Sequence, residues 1–509
     1  MTETKQSRRG FLKAAGGAIV AVAVAIGLYE WYQSTTGPVT PTPTATTAAA
    51  TTTTATGAAP TTATKPFQGV TIAFFTLDPL TSVANAMKAK FTEQTGINVN
   101  VIALGGTEVL NEKNLLELTG HKGSIDVLTN FVWMIGQNSA FYVPLEPLVQ
   151  KYNVDLSDYA AWVLDQSCRY DDEHKFTKRG GGGVLYTLPT GADCALLLYR
   201  KDWFSDPNEK AAFEAKYGYD LIVPNPPDAL TWKQFCDMLE FFTRPEKGIY
   251  GYAYAADPYT FWELWHPEAF SRGEYYTTDE GKPNLNSPGQ LEAFNLALHY
   301  HRQGWVPKGA SNMGYTEAQL WFKNGNVAIA QLWNMMYTEY TKPDFIDKVG
   351  YAFMPYWGKA IGTNRPLPPG VTSWEVPGSK PRMSSGGWNL GINKDSKNPD
   401  AAFLWIQFAT SYEFGKYSGQ NFSYFGARYS IYQDPELRKT NPWVDAALES
   451  WKGDYLWICW MRTNAFPQAV DPVTRYMHEA LAGTKDPKVA LDESQNAMVE
   501  IWKQFGYPT

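Results

Sequence analysis

Two tryptophan–asparagine pairs, Trp333-Asn334 and Trp388-Asn389, place a flat apolar ring beside an amide that both donates and accepts hydrogen bonds. The first pair directly follows the apolar run that ends at Leu332, and the second follows two consecutive glycines. A rigid ring offers a large contact area, and an amide can either donate a hydrogen bond to a hydroxyl group or accept one from it. We interpret both pairs as candidate ligand contacts; a core role for either tryptophan is the alternative.

Two carboxylates and two further tryptophans could add hydrogen bonds or ring contacts: Asp78, Trp133, Asp193 and Trp262. Asp78 follows the first predicted strand, where ligand loops are common, but the proline behind it also suits a turn. Asp193 can accept bonds from two neighbouring hydroxyls, or it can cap an element or form a salt bridge. Trp133 ends a strand region. Trp262 lies three residues before another tryptophan, a spacing that also fits a core stripe on a helix.

Aromatic residues make up 15% of the chain, with 19 tryptophans and 30 tyrosines. Many of these rings belong in the core. A surplus of rings also suits a site that stacks on the apolar faces of sugar rings, while carboxylates and amides hold the sugar hydroxyls. The residue types therefore favour a carbohydrate as ligand.

Motifs of the common enzyme classes are missing from the sequence, which has no Walker A, GxGxxG, HExxH or GxSxG pattern. The six histidines are scattered, and His299 and His301 stand too close in sequence to share a helix face as metal ligands would. A glycoside hydrolase would need two carboxylates about 5–10 Å apart, and no local motif nominates such a pair. We predict no catalytic residue, no metal site and no cofactor, with a glycoside hydrolase as the alternative.

The charge and the cysteines narrow the class further. A formal net charge of −7 without a basic patch argues against a nucleic-acid partner. No two cysteines form a CxxC pair, so no structural zinc site is indicated. One or two disulfides could form outside the cytoplasm, and buried free thiols are the alternative. The four cysteines are Cys168, Cys194, Cys236 and Cys459.

The N-terminus has the layout of an export signal. Residues 5–13 read KQSRRGFLK and resemble the twin-arginine export motif, with Arg8 and Arg9 as the arginine pair. An uncharged apolar run follows from Ala14 to Leu28, as export signals require. A Sec signal or a signal anchor that carries two arginines is the alternative.

The apolar run continues to Tyr32, and it is then just long enough to cross a bilayer, which takes ~20 residues. Residues 34–66 are almost only Thr, Ala, Pro and Gly, so we predict an extended stalk that buries no core. Because a stalk is useful only when its base is fixed, a retained membrane anchor at residues 1–33 is favoured over cleavage near Ala21.

From Phe67 onward, hydrophobic periodicity predicts alternating strands and helices. The predicted order is strand 70–74, helix 81–95, strand 97–101, helix 108–118 and strand 125–128. This β-α-β-α-β order is typical of a mostly parallel sheet covered by helices.

Later helices are predicted from their capping residues. Thr231 begins a capping-box sequence, and Ser287 precedes a proline at the first helical position. Thr316 is predicted to begin a third helix in the same way. A strand follows from Val327 to Leu332.

Eight separated segments, taken in order, carry a pattern shared with one protein family. They are VTIAFFTLDP at 70–79, FTEQTGINVNVI at 91–102, GSIDVL at 123–128, FYVPLEPL at 141–148, VLYTLPTGADCALLLYRKDWF at 184–204, ALTWKQFCDML at 229–239, KNGNVAIAQLWN at 323–334 and GGWNLGINKDSKNPDAAFLWIQFATSYE at 386–413. Over most of residues 67–509 the chain thus resembles the extracellular solute-binding proteins of sugar ABC importers, the maltose-binding-protein-like group. Arg200 stands where that family's pattern has asparagine.

The resemblance implies an α/β fold of the type II periplasmic-binding-protein kind. Each of two lobes would hold a mixed sheet flanked by helices, with a ligand cleft between the lobes and several hinge crossovers. We place crossovers near Thr190–Asp193, near Ser384–Trp388 and near residues 425–435. The expected lobe boundaries are 67–191 and 386–430 for lobe 1, and 192–385 and 431–509 for lobe 2.

The resemblance also implies a function: an extracytoplasmic protein, at the cell surface or in the periplasm, that captures an oligosaccharide by lobe closure. The implied partners are the carbohydrate, the permease subunits of an ABC importer, and the membrane through the N-terminal anchor. The expected ligand-binding residues are Asp78, Trp133, Asp193, Trp262, Trp333, Asn334, Trp388 and Asn389. Alternatives are a binding protein for a peptide, polyamine or metal chelate, and a structural surface protein.

Overall fold

The structure is a computed structural model, and it describes residues 65–509 apart from 174–175, 177–181, 259, 261 and 459–461. The predicted export signal and nearly all of the predicted stalk lie outside the described residues. Lys65–Thr509 forms one compact unit with its own core. Within the described residues, no helix has both the length and the apolar character needed to cross a membrane.

Strands and helices alternate along the described part of the chain. The strands are β1 Thr71–Thr76, β2 Asn98–Ala103, β3 Val127–Phe131, β4 Arg169–Tyr170, β5 Val184–Leu185, β6 Thr187–Pro189, β7 Ala195–Arg200, β8 Tyr250–Ala253, β9 Val327–Trp333, β10 Val349–Ala352, β11 Met383–Ser385, β12 Trp388–Ile392 and β13 Leu456–Ile458. The α-helices are α1 Leu80–Thr95, α2 Thr107–Thr119, α3 Ile135–Asn138, α4 Glu146–Lys151, α5 Ala161–Val163, α6 Lys201–Phe204, α7 Pro207–Tyr217, α8 Trp232–Phe242, α9 Trp262–Ser271, α10 Pro288–Arg302, α11 Tyr315–Lys323, α12 Pro399–Ala409, α13 Tyr412–Phe422, α14 Tyr429–Tyr432, α15 Pro435–Thr440, α16 Trp443–Lys452, α17 Phe466–Leu481 and α18 Pro487–Gln504. A π-helical turn spans Leu164–Cys168.

The first sheet has the strand order β2-β1-β3-β12-β6. Strands β1, β2 and β3 run parallel, joined by α1 and α2, which confirms the β-α-β-α-β prediction. Strand β12 comes from far along the chain and pairs antiparallel with β3 and β6. Trp405 on α12 packs beneath this sheet, 5.9 Å from the ring of Phe74 and 5.1 Å from that of Phe91. The sheet is therefore mixed, as the resemblance implied.

The second sheet has the order β10-β7-β9-β8. Strand β7 pairs antiparallel with β9 and β10, and β8 pairs parallel with β9. All seven residues of β9 are buried, so this strand forms the centre of its layer. Helix α8 packs against β8 and β9. Each of the two sheets thus carries its own covering helices.

Two connections join the sheets and run side by side. The chain leaves the first sheet after β6 and enters the second at β7, and it returns from β11 to β12. The Thr190 N–H donates to the Trp388 carbonyl over 2.8 Å, and the Gly386 N–H donates to the Asp193 carbonyl over 3.0 Å. Gly387 has φ +153, and a β-carbon there would lie only 2.8 Å from the Gly191 carbonyl oxygen, so the close approach requires glycine. The two segments are consequently positioned by each other.

The capping predictions for α8 and α10 are confirmed. The Thr231 hydroxyl accepts from the Gln234 N–H, and the Gln234 side chain accepts from the Thr231 N–H over 2.9 Å, which completes the capping box. Ser287 accepts from the Gln290 N–H over 3.1 Å. The Gln290 amide itself bonds to the carbonyl oxygens of Tyr275 and Asn284 instead of closing a box.

The prediction that Thr316 begins a helix is wrong. Helix α11 already begins at Tyr315, and its N-cap is Gly314. The Gly314 N–H donates to the Glu317 carboxylate over 3.1 Å, so the acidic side chain in the first turn satisfies the exposed end of the helix. Thr316 lies inside the helix and is exposed.

Candidate functional site

Asp193 lies on the connection between the sheets, and it is only 5% exposed. Burial raises the pKa of its carboxyl group to about 7, and no hydrogen bond or cation of the described residues counteracts this rise. A buried carboxylate without partners is costly, because desolvation disfavours its charge. Its oxygens therefore remain available to donors that a ligand brings.

Trp388 lies on the second connection, whose backbone is hydrogen-bonded to the connection that carries Asp193. Its ring lies 5.2 Å from that of Phe131 and 5.8 Å from that of Tyr424. The Tyr424 hydroxyl shares a 2.9 Å hydrogen bond with the Thr190 hydroxyl. The indole N–H of Trp388 has no acceptor among the described residues, although the side chain is 4% exposed. This N–H is thus a second polar group without a partner at the connections.

Asn334 is positioned beside Asp193 through the strand pairing of β7 and β9. Its backbone N–H donates to the Cys194 carbonyl over 3.2 Å. Its side-chain oxygen has no donor among the described residues, and the nearby Tyr432 hydroxyl has no hydrogen-bond partner there either. Burial is the largest influence on the pKa of Tyr432, and it raises that pKa together with the charge of Asp193. Asn334 therefore adds an acceptor to the same cluster.

Trp333, the last residue of β9, is turned to the other side of this strand pair. Its indole N–H donates to the Tyr315 hydroxyl over 3.1 Å, and its ring packs with Ala195, Met335 and Tyr315. The side chain is buried, with 7% exposed. The structure thus gives Trp333 a packing role between β9 and α11.

Asn389 is fully buried on β12 of the first sheet. Its side-chain oxygen accepts from the Asn130 amide over 3.0 Å, and its own amide donates to the Ser167 carbonyl over 3.2 Å. Asn130 continues this polar network to Asn138 over 3.1 Å. Both ends of the Asn389 amide are therefore occupied, and they join β12 to β3 and to the π-helical turn.

The remaining predicted residues have other described contacts or lie outside the described side chains. Asp78 is exposed and accepts from the Ser82 N–H over 3.1 Å and from the Ser82 hydroxyl over 2.6 Å, so it caps the start of α1. Trp133 follows β3 and packs 6.0 Å from the ring of Phe466. Trp262 begins α9, and its side chain is not among those that the structure describes.

The structure therefore brings together Asp193, Asn334 and Trp388 from the predicted set, with Tyr424 and Tyr432 as neighbours outside that set. The two tyrosines come from the segment that enters and forms α14. The available signal was their position next to the predicted crossover near residues 425–435. We define the connection cluster as Asp193, Asn334, Trp388, Tyr424 and Tyr432.

The chemistry of the connection cluster suits binding through hydrogen bonds and ring contacts. The raised pKa of Asp193 comes from burial, without a contribution from a second carboxylate. Among the described residues there is no group of three His, Cys, Asp or Glu side chains placed to hold a metal ion.

The structure shows the state of three of the four cysteines. Cys168, Cys194 and Cys236 are buried free thiols, and burial raises the pKa of Cys194 to about 12. These three residues therefore follow the free-thiol alternative. Cys459 lies outside the described residues.

A family model described as bacterial extracellular solute-binding protein matches residues 77–416, which is more than half of the chain. A mannitol-binding protein of Pseudomonas aeruginosa is 26% identical over 362 residues, which cover 64% of this chain and 71% of that protein. The family-model match includes the connections that carry Asp193 and Trp388.

Solved structures of similar proteins share the fold. An ABC transporter solute-binding protein from Agrobacterium radiobacter, in complex with ribitol, has a TM-score of 0.68 at 23% identity and covers 86% of this chain and 100% of that chain. Maltose-bound MalE3 of T. maritima has a TM-score of 0.66 at 20% identity, with 85% of this chain and 100% of that chain covered. The two sheets described above are accordingly two lobes, with a ligand cleft between them and hinge crossovers at the connections.

Proposed function

Because the chain belongs to the bacterial extracellular solute-binding protein family, we propose that it captures a carbohydrate between its lobes and delivers it to an ABC importer. Its relatives and structural neighbours include proteins named for mannitol or bound to ribitol and maltose, all of which are rich in hydroxyl groups. The protein is a binding protein in this proposal and not an enzyme. Its partners are the sugar and the permease subunits of the importer.

One observation carries the proposal to particular residues: the Asp193 carboxylate is buried at the connections and has no hydrogen-bond donor among the described residues. A sugar that binds there would donate hydroxyl groups to this carboxylate and to the Asn334 oxygen. The Trp388 indole N–H would donate to a ring or hydroxyl oxygen, and its flat face would stack on the sugar. These three residues form the centre of the proposed site.

The other predicted contacts complete the proposed site from its periphery. They are Asp78, Trp133, Trp262, Trp333 and Asn389. Asn389 acts through Trp388, since its amide is occupied within its lobe. The proposed lobe boundaries are residues 67–191 with 386–430, and 192–385 with 431–509. Contacts from both lobes stabilise the closed state, and the importer would recognise that state.

The proposed location is outside the cytoplasm, at the cell surface or in the periplasm. The family and the twin-arginine sequence around Arg8 and Arg9 support export. We further propose that residues 1–33 stay in the membrane and that the Thr-rich residues 34–66 act as a stalk. Fractionation of cells that express the native chain or Arg8→Lys/Arg9→Lys tests both points. Native protein in the membrane fraction outside the cytoplasm supports the tether, and fully soluble native protein contradicts it.

The decisive test of ligand class is a thermal-shift screen of the compact unit Lys65–Thr509 against mono- and oligosaccharides and sugar alcohols. A ligand at 100 times its Kd stabilises by roughly 2.7 kcal/mol, and in a protein of this size that is a shift of a few degrees. Recovery of the sugar unchanged from the sample supports a binding protein, whereas a cleaved sugar would indicate a hydrolase.

Asp193→Asn provides the site-specific control of the screen. We expect the variant to fold and to lose the shift given by the best sugar. If no sugar shifts the native protein, the carbohydrate assignment is wrong and a peptide, polyamine or metal chelate becomes the class to test.

A further inference from the structure

A buried guanidinium group joins the two lobes. Arg462 is 5% exposed, and its Nη1 donates to the carbonyl oxygens of Gln166 and Arg169, both over 3.1 Å. It also reaches the Asp165 carbonyl over 3.5 Å. These carbonyls belong to the π-helical turn and to the residue that follows it. One side chain therefore binds three carbonyl oxygens of a single turn.

The two partners of this contact belong to different lobes. The π-helical turn packs on β6 and β12 of the first sheet, and its Ser167 carbonyl accepts from Asn389. Arg462 lies between β13 and α17. Strand β13 pairs with β11, which contacts β7, and α17 packs on α18, which in turn packs on α10. Arg462 is thus carried by the second lobe and bonds to the first.

Two further contacts surround the guanidinium group. Gly136 on α3 approaches the Arg462 backbone so closely that a β-carbon on this glycine would lie 2.0 Å from the Arg462 carbonyl oxygen. The ring of Trp133 in the first lobe packs 6.0 Å from that of Phe466, the first residue of α17. The lobes therefore meet over a packed patch, which we call the Arg462 patch and define as Trp133, Gly136, the π-helical turn, Arg462 and Phe466.

Arg462 remains positively charged in its buried position. Burial lowers its pKa to about 10, while Tyr170, Asp171 and Asp165 raise it, so the group stays cationic at neutral pH. A charged donor strengthens hydrogen bonds to carbonyl oxygens, and a guanidinium group can serve several acceptors at once. Opening the lobes would leave these carbonyls and the guanidinium group to be hydrated again. The contact therefore favours the arrangement of the lobes that the structure shows.

We propose that Arg462 is a positioning residue that holds the lobes together in the closed arrangement, independently of the ligand. Its contribution reaches the ligand through the lobe equilibrium. The loss of its charge-assisted hydrogen bonds should lower the ratio of closed to open protein by roughly 10- to 100-fold. Gly136 would serve the same contact from the opposite lobe, by leaving room for it.

Small-angle X-ray scattering on the ligand-free unit Lys65–Thr509 tests the proposal. We expect Arg462→Met to give a larger radius of gyration than the native protein, since it keeps the aliphatic stem and removes the donors. Arg462→Lys should fall between the two, because an ammonium group keeps the charge but not the planar fork. Gly136→Ala should also enlarge the particle, although it removes no hydrogen bond.

Matched controls separate opening from general damage. Arg438→Met removes an arginine from an ion pair with Asp445, in which 46% of the Arg438 side chain is exposed. Gly419→Ala adds a β-carbon on α13 that meets only ordinary contacts at 3.4 Å. Both controls should scatter like the native protein. If Arg462→Met fails to fold by circular dichroism, Gly136→Ala decides the question.

The proposal would be overturned if folded Arg462→Met and Gly136→Ala both gave the scattering curve of the native protein. It would also be overturned if the two control variants expanded as much as these two variants. Because the measurement uses no ligand, its outcome is independent of whether the carbohydrate assignment is correct.

Discussion

Asp193 is buried where its charge is disfavoured, and its pKa rises from 3.8 to about 7. From about pH 4 to about pH 7 the native state keeps a proton that the unfolded chain has lost, so stability falls as the pH rises through this window. Asp193→Asn removes that loss. We expect the ligand-free variant to melt several degrees above the native protein at pH 8 and to differ little at pH 4, measured by differential scanning fluorimetry.

Glu268 offers a matched control for this prediction. Burial also raises its pKa, to about 8, while its carboxylate accepts from the Tyr300 hydroxyl over 2.9 Å inside the second lobe. Glu268→Gln should stabilise the ligand-free protein at alkaline pH and still bind the sugar. Asp193→Asn should stabilise it and lose at least tenfold in affinity. Equal sugar affinities for the two variants would remove Asp193 from the site.

Trp388 allows the ring contact to be separated from the hydrogen bond. Trp388→Phe keeps a ring against Phe131 and Tyr424 but removes the indole N–H. We expect affinity for the best sugar to fall roughly fivefold, which corresponds to about 1 kcal/mol, as measured by calorimetry. Trp405→Phe is the control, because its indole N–H also has no acceptor among the described residues but lies in the core beneath the first sheet. It should change stability and leave affinity unchanged.

At the residue scale, sequence reasoning found side chains next to recognisable segments and missed those brought in from a distance. Asp193 and Asn334 lie inside segments that match the family pattern, so their neighbourhood could be predicted. Tyr432 and Arg462 lie beyond the matched segments, and their partners are set by packing between distant parts of the chain. Asn389 was predicted as a ligand contact from its position, but position alone could not show that Asn130 and Ser167 occupy its amide.

At the element scale, the capping box of α8 gives a clean test of local stabilisation. The Thr231 hydroxyl accepts from the Gln234 N–H, one of the N–H groups at the start of the helix that have no intrahelical partner. Thr231→Ala should reduce the free energy of unfolding by about 1 kcal/mol, measured by urea unfolding. Thr316→Ala is the matched control, since Thr316 is exposed and inside α11. If both substitutions lower the free energy of unfolding by the same amount, the capping hydrogen bond makes no contribution of its own to stability.

Elements with a clear hydrophobic period were predicted well, and those formed by distant pairing were not. Helix α1, predicted at 81–95, spans Leu80–Thr95, and β9, predicted at 327–332, spans Val327–Trp333. Strands β11 and β13 have three residues each and pair across more than seventy positions of the chain, Met383 with Leu456 for example. Such short segments carry no period of their own, because tertiary contacts decide their structure.

At the scale of the whole molecule, the resemblance predicted two lobes and three crossovers, two of which coincide with the connections described above. It could not predict how the lobes touch. The family pattern describes strands that build each lobe, whereas the Arg462 patch depends on side chains that meet only after both lobes have formed. In the two proposals, closure is an equilibrium with contributions from the connection cluster and from the Arg462 patch. A ligand and a lobe contact that favour the same state must assist each other.

This linkage makes a prediction for a double-mutant cycle. Arg462→Met and Gly136→Ala act on one contact from opposite lobes, and neither residue belongs to the connection cluster. Each should lower affinity for the best sugar roughly tenfold by reducing the population competent to close, as measured by calorimetry. Because the first substitution already breaks the contact, the double variant should bind about as tightly as either single variant. Affinity losses that multiply would mean that the two residues act independently, and unchanged affinities would mean that closure at the Arg462 patch is not coupled to the ligand.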